Sequence, residues 1–182
     1  PNQPGCEYPN KNLCGAGVTF KLIQALMERE GWAPDRIVRY CDSFLMLVAI
    51  ATVADVVPLT GENRIIVQRG LAGLSRTKNP GLLAILSVSG LDASMPVSAT
   101  DVGFRIAPRI NAAGRMDNAS EVLELFLTPD EQRARTIAQR LDALNSERQR
   151  TCEIVANTIL ERYAVSPPGP ADAGLVFFEP EW

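Results

Sequence analysis

An acidic residue inside an apolar run is the first feature of the sequence that calls for chemistry. Residues 44–59 are almost entirely apolar, and their single acid is Asp55. Burial costs a carboxylate much of its hydration energy unless it is paired, protonated or bound to a cation. The run predicts a buried helix that Pro58 ends, which places Asp55 near the negative end of a helix dipole. Two interpretations stay open at this point, an ion pair with an arginine such as Arg64 and a metal ligand.

A second stretch, residues 105–116, concentrates side chains that suit phosphate. Its polar members and its glycine are Arg105, Arg109, Asn111, Gly114 and Arg115. Guanidinium forks match phosphate oxygens, and Asn can hold a metal-bound water or a sugar. Pro108 and the glycine predict a loop rather than one long helix. A solvated loop with structural ion pairs is one interpretation, but the apolar residues between the arginines favour a packed, functional loop in which these four polar residues bind phosphate or nucleic acid.

Gly15 and Gly17 precede the first predicted helix. Two glycines at a helix start can let a phosphate approach the backbone N–H groups closely. The same pattern is typical of an ordinary turn, so they are the weaker phosphate candidates.

Composition limits the other classes of function. The 182 residues are 46% hydrophobic with a formal net charge of −3, so nucleic-acid binding would need a local basic patch. The chain has no His, which excludes nucleophile–His pairs and His-ligated metals built from this chain alone. Four scattered cysteines predict reduced thiols. The sequence shows neither a leader nor an uncharged 18-residue run, so we expect a cytoplasmic protein without membrane association.

Apolar periodicity predicts a mostly helical order. Predicted helices cover residues 18–30, 43–54, 62–75, 82–88, 100–106 (N-capped by Thr100) and 118–127, with a short polar connector or helical turn at 33–42. Thr128-Pro-Asp-Glu131 reads as a capping box that starts a helix reaching Tyr163. At about 1.5 Å per residue this helix would be roughly 50 Å long, more than one small domain needs. A strand is predicted at 173–178, and both ends lead us to expect a piece of a longer protein.

Four segments in colinear order resemble the RecJ-type single-strand-specific exonucleases of the DHH phosphoesterase superfamily. They are Cys14-Gly-Ala-Gly-Val18, Leu47–Leu59 followed by Glu62-Asn-Arg64, Pro108-Arg-Ile-Asn-Ala-Ala-Gly-Arg-Met116, and Leu141-Asp-Ala-Leu-Asn-Ser-Glu-Arg148. The resemblance extends over essentially the whole chain.

This resemblance implies an α/β fold and a division of the chain. Residues 1–127 would be the helix-rich C-terminal part of a DHH catalytic domain, and 128–164 a long connecting helix. Residues 165–182 would be the linker and first strand of a second α/β domain, DHHA1. The family's His-His pair would lie before the chain and most of DHHA1 after it.

The same resemblance implies a 5′-to-3′ exonuclease for single-stranded DNA in repair and recombination. Asp55 matches a metal ligand of the family, in a two-metal Mn²⁺ or Mg²⁺ centre completed by residues outside this chain. Arg109, Asn111 and Arg115 match a motif that handles the DNA backbone. Implied partners are single-stranded DNA, a single-strand-binding protein and a helicase. The whole protein would be a monomer, and this chain alone would be inactive. The alternatives are a catalytically inactive DHH-family scaffold or DNA-binding subunit and, less favoured, an enzyme for short oligonucleotides or small phosphoesters.

Overall fold

The computed structural model describes residues 3–92, 94–114, 119–165, 167, 169 and 174–179, with Ala119 described by its backbone alone. Within these ranges the regular structure is helical. The helices are α1 (Gly15–Arg29), α2 (Pro34–Ala54), α3 (Gly61–Leu74), α4 (Pro80–Val88), α5 (Ala99–Asp101), a π-helical turn (Val102–Ile106), α6 (Ala107–Ala113), α7 (Ala119–Leu127) and α8 (Glu131–Val165).

Helix α2 lies at the centre of the N-terminal half and packs against α1 and α3. The α2–α3 contact is close because Gly70 has no side chain: a Cβ there would lie 2.3 Å from the Leu45 carbonyl oxygen and 2.4 Å from the Ala49 Cβ. By length and hydropathy, α2 is the one described helix that would suit a membrane span. That resemblance is weak, because an apolar core helix passes the same test.

The main core lies between α4 and the first half of α8. Helix α4 is short and mostly buried, and it packs against α7 as well as α8. Gly81 permits the contact with α7, since a Cβ there would lie 2.0 Å from the Leu125 carbonyl oxygen. The buried residues of α8 are Ala134, Ile137, Ala138, Leu141 and Asn145. All of them belong to its first half, so the second half extends away from this core.

Several predicted boundaries are wrong at the helix starts. Of the two alternatives for residues 33–42, a connector or a helical turn, the structure has the helical one: 34–42 form the first turns of α2, because Pro34 suits the first turn and no breaker follows it. Helix α5 is capped by Ser98 in a capping box with Asp101, not by Thr100. Helix α8 begins at Glu131, where the Asp130 carboxylate accepts the N–H groups of residues 132 and 133 at 2.8 and 3.1 Å. Thr128 instead accepts the Asp130 N–H.

The C-terminal part differs from the prediction of a strand. Residues 174–179 have no regular secondary structure, and no strand occurs in the described ranges. A strand forms only beside a neighbour that pairs with its backbone groups, and the described residues supply none, so its place in a further domain stays a prediction. The predicted long helix is confirmed, with α8 continuous over 35 residues.

Candidate metal and nucleic-acid site

Asp55 lies where α2 ends. It is the C-cap residue, and its N–H donates to the Ala51 carbonyl at 3.0 Å. The buried residues of α2 stop at Thr52, so the prediction of a deeply buried carboxylate is wrong and Asp55 is exposed. The structure describes both Asp55 and Arg64, and no ion pair joins them. The last carbonyl groups of α2 carry partial negative charge, so they and the carboxylate together favour a cation.

The residue after Asp55 has an unusual backbone. Val56 has a φ of 55° and is 88% exposed. Helices α1 and α4 place Gly31 and Gly90 at the corresponding left-handed position, with φ of 72° and 66°. For a β-branched residue this conformation costs about 1–2 kcal/mol. Strain of this kind concentrates at functional sites, so it draws attention to the Asp55 turn.

Asn63 holds the chain that follows Asp55. It is a buried side chain of α3, and its amide group donates to the carbonyl oxygens of Pro58 at 3.0 Å and of Asn12 at 2.8 Å. These bonds fix the turn after α2 to both α3 and the N-terminal loop. The sequence did not single out Asn63, although a polar residue inside the apolar stripe of a helix was the available signal.

Asp55 and Asn111 line the same cavity of about 280 Å³. Its other lining residues are aliphatic apart from Phe126. Carboxylate and amide oxygens are the donors that Mg²⁺ and Mn²⁺ accept, so the donor chemistry fits a hard cation. No group of three or more His, Cys, Asp or Glu side chains suited to a metal occurs among the described residues. The cavity therefore fits one protein carboxylate ligand, not a complete centre.

The segment predicted as a loop is helical as far as Ala113. A π-helical turn, closed by the Ala107 N–H donating to the Val102 carbonyl, precedes α6. Pro108 follows at the start of α6, where its missing N–H is tolerated. The π-turn adds one residue before the proline, and α6 then starts at Ala107. Pro108 therefore lies in the first turn of α6, where a proline does not end the helix.

Two of the predicted phosphate ligands make bonds inside the fold. The Arg109 Nε donates to the Asp142 Oδ1 at 2.8 Å and its Nη1 to the Arg105 carbonyl at 2.6 Å, with the side chain only 18% exposed. Arg105 donates to Gly90 O at 2.7 Å and to Asp101 Oδ1 at 3.2 Å. Hydrogen bonds from Ser98, supported by Arg105, hold the pKa of Asp101 below its ordinary value. Both arginines therefore join helices to one another.

The other predicted residues lie apart from these bonds. Asn111 is exposed and faces the Asp55 cavity, whereas Arg115 lies outside the described residues. Gly17 is buried against Leu13, and its N–H donates to the Cys14 sulfur at 3.3 Å. Gly15 is exposed with open space around it. The Gly17 N–H is thus used by the helix cap, and the phosphate role of the two glycines stays a prediction.

Arg148 is a further site residue that the sequence prediction did not include. Together with Val56, Thr100, Phe104, Pro108 and Asn111 it lines a cavity of about 600 Å³, called here the Arg148 groove. Ala54, Ala107 and Asn111 line both this groove and the Asp55 cavity, so the two are contiguous. Its signal in the sequence was an arginine at the end of the Leu141–Arg148 motif, on a helix whose role was predicted as a connector.

The chain matches curated proteins over nearly all of its length. No protein-family model matches it. It is 40% identical over 194 residues to the single-stranded-DNA-specific exonuclease RecJ of Escherichia coli K12, a match that spans 100% of this chain and 33% of that protein. The RecJ of Bacillus subtilis 168 is 42% identical over 161 residues, spanning 88% of this chain and 19% of the relative. The chain thus spans about a third or less of the length of these relatives.

Solved structures agree with the sequence matches. The Mg²⁺ complex of Thermus thermophilus RecJ superposes with a TM-score of 0.72 at 37% identity, over 85% of this chain and 23% of that one. A manganese-bound exonuclease RecJ gives a TM-score of 0.73 at 36% identity, over 88% of this chain and 38% of that one. The colinear motifs, the helix order and these matches have one explanation: the chain belongs to the RecJ family, as a segment of about a third of the length of its Escherichia coli member.

Proposed function

We propose that the whole protein containing this segment is a metal-dependent 5′-to-3′ exonuclease that hydrolyses phosphodiester bonds of single-stranded DNA in repair and recombination. The observation that carries the proposal is the match of 88–100% of the chain to proteins named single-stranded-DNA-specific exonucleases, at 40–42% identity. The exposed carboxylate at the end of α2, beside a groove lined by arginine, supports it from the geometry.

The proposed architecture extends beyond the helices described here. Residues 1–127 would complete an α/β DHH catalytic domain, 128–164 would connect the domains, and 165–182 would lead into DHHA1. The continuous α8, buried only in its first half, supports the connecting role. The protein would act in the cytoplasm as a monomer, with a single-strand-binding protein and a helicase as partners.

Asp55 is proposed as one carboxylate ligand of a two-metal Mn²⁺ or Mg²⁺ centre, with its remaining ligands elsewhere in the whole protein. Bound cations of this kind polarise a scissile phosphate and lower the pKa of a coordinated water. In this chain, Asp55 would hold the cation against the end of α2, and Asn111 would orient polar groups across the same cavity. The bonds of Asn63 would keep the turn after Asp55 in place. Arg115 would contact the DNA backbone.

The proposal is tested by Asp55→Ala in the full-length protein, with Asp35→Ala as the matched control. Asp35 lies at the opposite end of α2 and pairs with Arg39 at the surface. We expect Asp55→Ala to lower Mn²⁺-dependent digestion of a 5′-phosphorylated single strand on the order of 10³-fold, because one metal ligand is lost. We expect it also to weaken Mn²⁺ binding measured by calorimetry. The control should retain both properties.

Labels at either end of the strand give the polarity of digestion. Release from the 5′ end supports the proposal, and full activity of Asp55→Ala contradicts the ligand role. A wild-type protein that binds the strand but never cleaves it would favour the alternative, a catalytically inactive DHH-family scaffold or DNA-binding subunit.

A further inference from the structure

Arg148 keeps an unneutralised charge in a partly enclosed position. Its Nη2 donates to the Asn145 Oδ1 at 3.2 Å, whereas its Nε is buried without a hydrogen-bond partner among the described residues. No ion pair of the described residues includes it. A buried donor that lacks an acceptor is costly, and the deficit is largest for a charged group. Arg148 therefore brings to the wall of the Arg148 groove a charge that no carboxylate among the described residues balances.

Asn145 fixes the direction of this guanidinium. It is 2% exposed on α8, one helical turn before Arg148, and it accepts the bond that anchors Nη2. An arginine held by a buried amide loses less rotamer entropy when it binds a ligand than a free surface arginine does. With Nε buried and one Nη2 N–H used by Asn145, the remaining Nη N–H groups are those left for the groove.

Phe104 adds an aromatic wall to the same groove. It lies in the π-turn and is 79% exposed, although it is one of the largest apolar residues of the chain. A groove lined by an exposed ring and an arginine is a recurring arrangement for single-stranded nucleic acid, because a base can stack on the ring while the arginine contacts the backbone. Thr100 and Asn111 supply hydrogen-bonding groups nearby.

We infer that the Arg148 groove binds one nucleotide of the single strand, with its phosphate on Arg148 and its base stacked on Phe104. The inference rests on the proposed function and adds a nucleotide site to it. Because the groove shares Asn111 and two alanines with the Asp55 cavity, this nucleotide lies next to the phosphodiester bond presented to Asp55. Both side chains contact the substrate outside the bond that is cut.

The test measures binding without catalysis. Full-length protein in EDTA is titrated with a fluorescent oligo(dT) at several salt concentrations, with Arg148→Gln, Phe104→Leu, Phe104→Tyr and Arg150→Gln as variants. We expect Arg148→Gln to weaken binding about 5- to 10-fold at 0.1 M salt and to reduce the slope of log Kd against log salt by about 0.7. Phe104→Leu should weaken binding roughly 5- to 100-fold through lost stacking, and Phe104→Tyr should retain it.

Two controls separate a nucleotide site from general attraction. Arg150 is exposed two residues along α8, so Arg150→Gln removes the same charge from a different face. We expect it to change Kd less than twofold. An oligonucleotide with abasic residues should remove the effect of Phe104→Leu while keeping that of Arg148→Gln.

The outcomes also distinguish the two proposals. Equal losses from Arg148→Gln and Arg150→Gln, or unchanged binding by Arg148→Gln with a lowered melting temperature, would overturn the nucleotide site. The second of these results would mean that another part of the protein neutralises Arg148. Arg148-dependent binding by a protein that never hydrolyses DNA would support the site and contradict the nuclease activity.

Discussion

Arg109 and Arg148 both lie at contacts between α8 and the α6 region, and their charges have opposite surroundings. Arg109 is bonded to Asp142 and to the Arg105 carbonyl, with 18% of its side chain exposed. Arg148 has one bond, to an uncharged amide, and a buried Nε without an acceptor among the described residues. The fold satisfies the first arginine, whereas the second has no counter-ion among the described residues.

This difference shows why an arginine count is a poor guide to phosphate binding. Pairing with a carboxylate removes most of the attraction that an arginine has for a distant phosphate, and breaking that pair has its own cost. Substitutions near Arg109 should therefore change stability and leave DNA binding alone. Substitutions in the Arg148 groove should weaken DNA binding and leave stability unchanged.

The largest stability effect is expected from Arg109→Gln. The change leaves the Asp142 carboxylate and the Arg105 carbonyl without their donor, and partly buried charged bonds of this kind contribute about 2–3 kcal/mol. We expect faster amide hydrogen exchange in α6 and a lower melting temperature of the full-length protein. The salt slope of DNA binding should stay within about 0.2 of wild type, since the bonds to Asp142 and to the Arg105 carbonyl already occupy the Arg109 guanidinium. A slope reduced by about 0.7 would instead identify Arg109 as a phosphate ligand.

A smaller effect is expected from Asp142→Asn. The amide oxygen can still accept from the Arg109 Nε, so only the charge is lost and the cost falls to about 1–2 kcal/mol. Combined with Arg109→Gln in a double-mutant cycle, it should give a coupling energy of about 1 kcal/mol. Oligonucleotide affinity is the second measurement. Tighter binding by Asp142→Asn would show that Arg109, once freed from the carboxylate, reaches DNA. That result would contradict a purely internal role for the Arg109–Asp142 pair.

The sequence predicted the helices better than the surroundings of their polar residues. Apolar spacing located α3, α4 and α8 because it records which face each helix buries. It did not locate the bond between Arg109 and Asp142, since residues 33 positions apart meet only through the packing of α6 on α8. Asp55 was recognised as chemically important, but its exposure depends on the residue at which α2 ends.

The helix caps and the conformation of residues 105–116 were also predicted incorrectly from the sequence. Ser98 and Asp130 were two residues away from the predicted caps, and several nearby Ser, Thr and Asp residues could each have served. Pro108 suggested a loop because a π-turn cannot be recognised from periodicity. Arg148 and Phe104 became candidates only when their shared groove was visible.

The smallest expected change is a gain of stability from Val56→Gly, in the turn that follows α2. Relief of the left-handed strain, about 1–2 kcal/mol, is offset in part by the greater freedom of glycine in the unfolded chain, so a net gain of about 0.5–1 kcal/mol is expected. The valine side chain is 88% exposed, so little packing is lost. If the strained turn holds Asp55 rigidly, the same variant should lose several-fold in kcat/KM while its melting temperature rises.

Val57→Gly is the matched control, because Val57 has no positive φ and is half-buried, and it should be destabilising. A Val56→Gly protein that is both more stable and fully active would show that the strain serves no function at Asp55, and that the turn there is closed by the bonds of Asn63 alone.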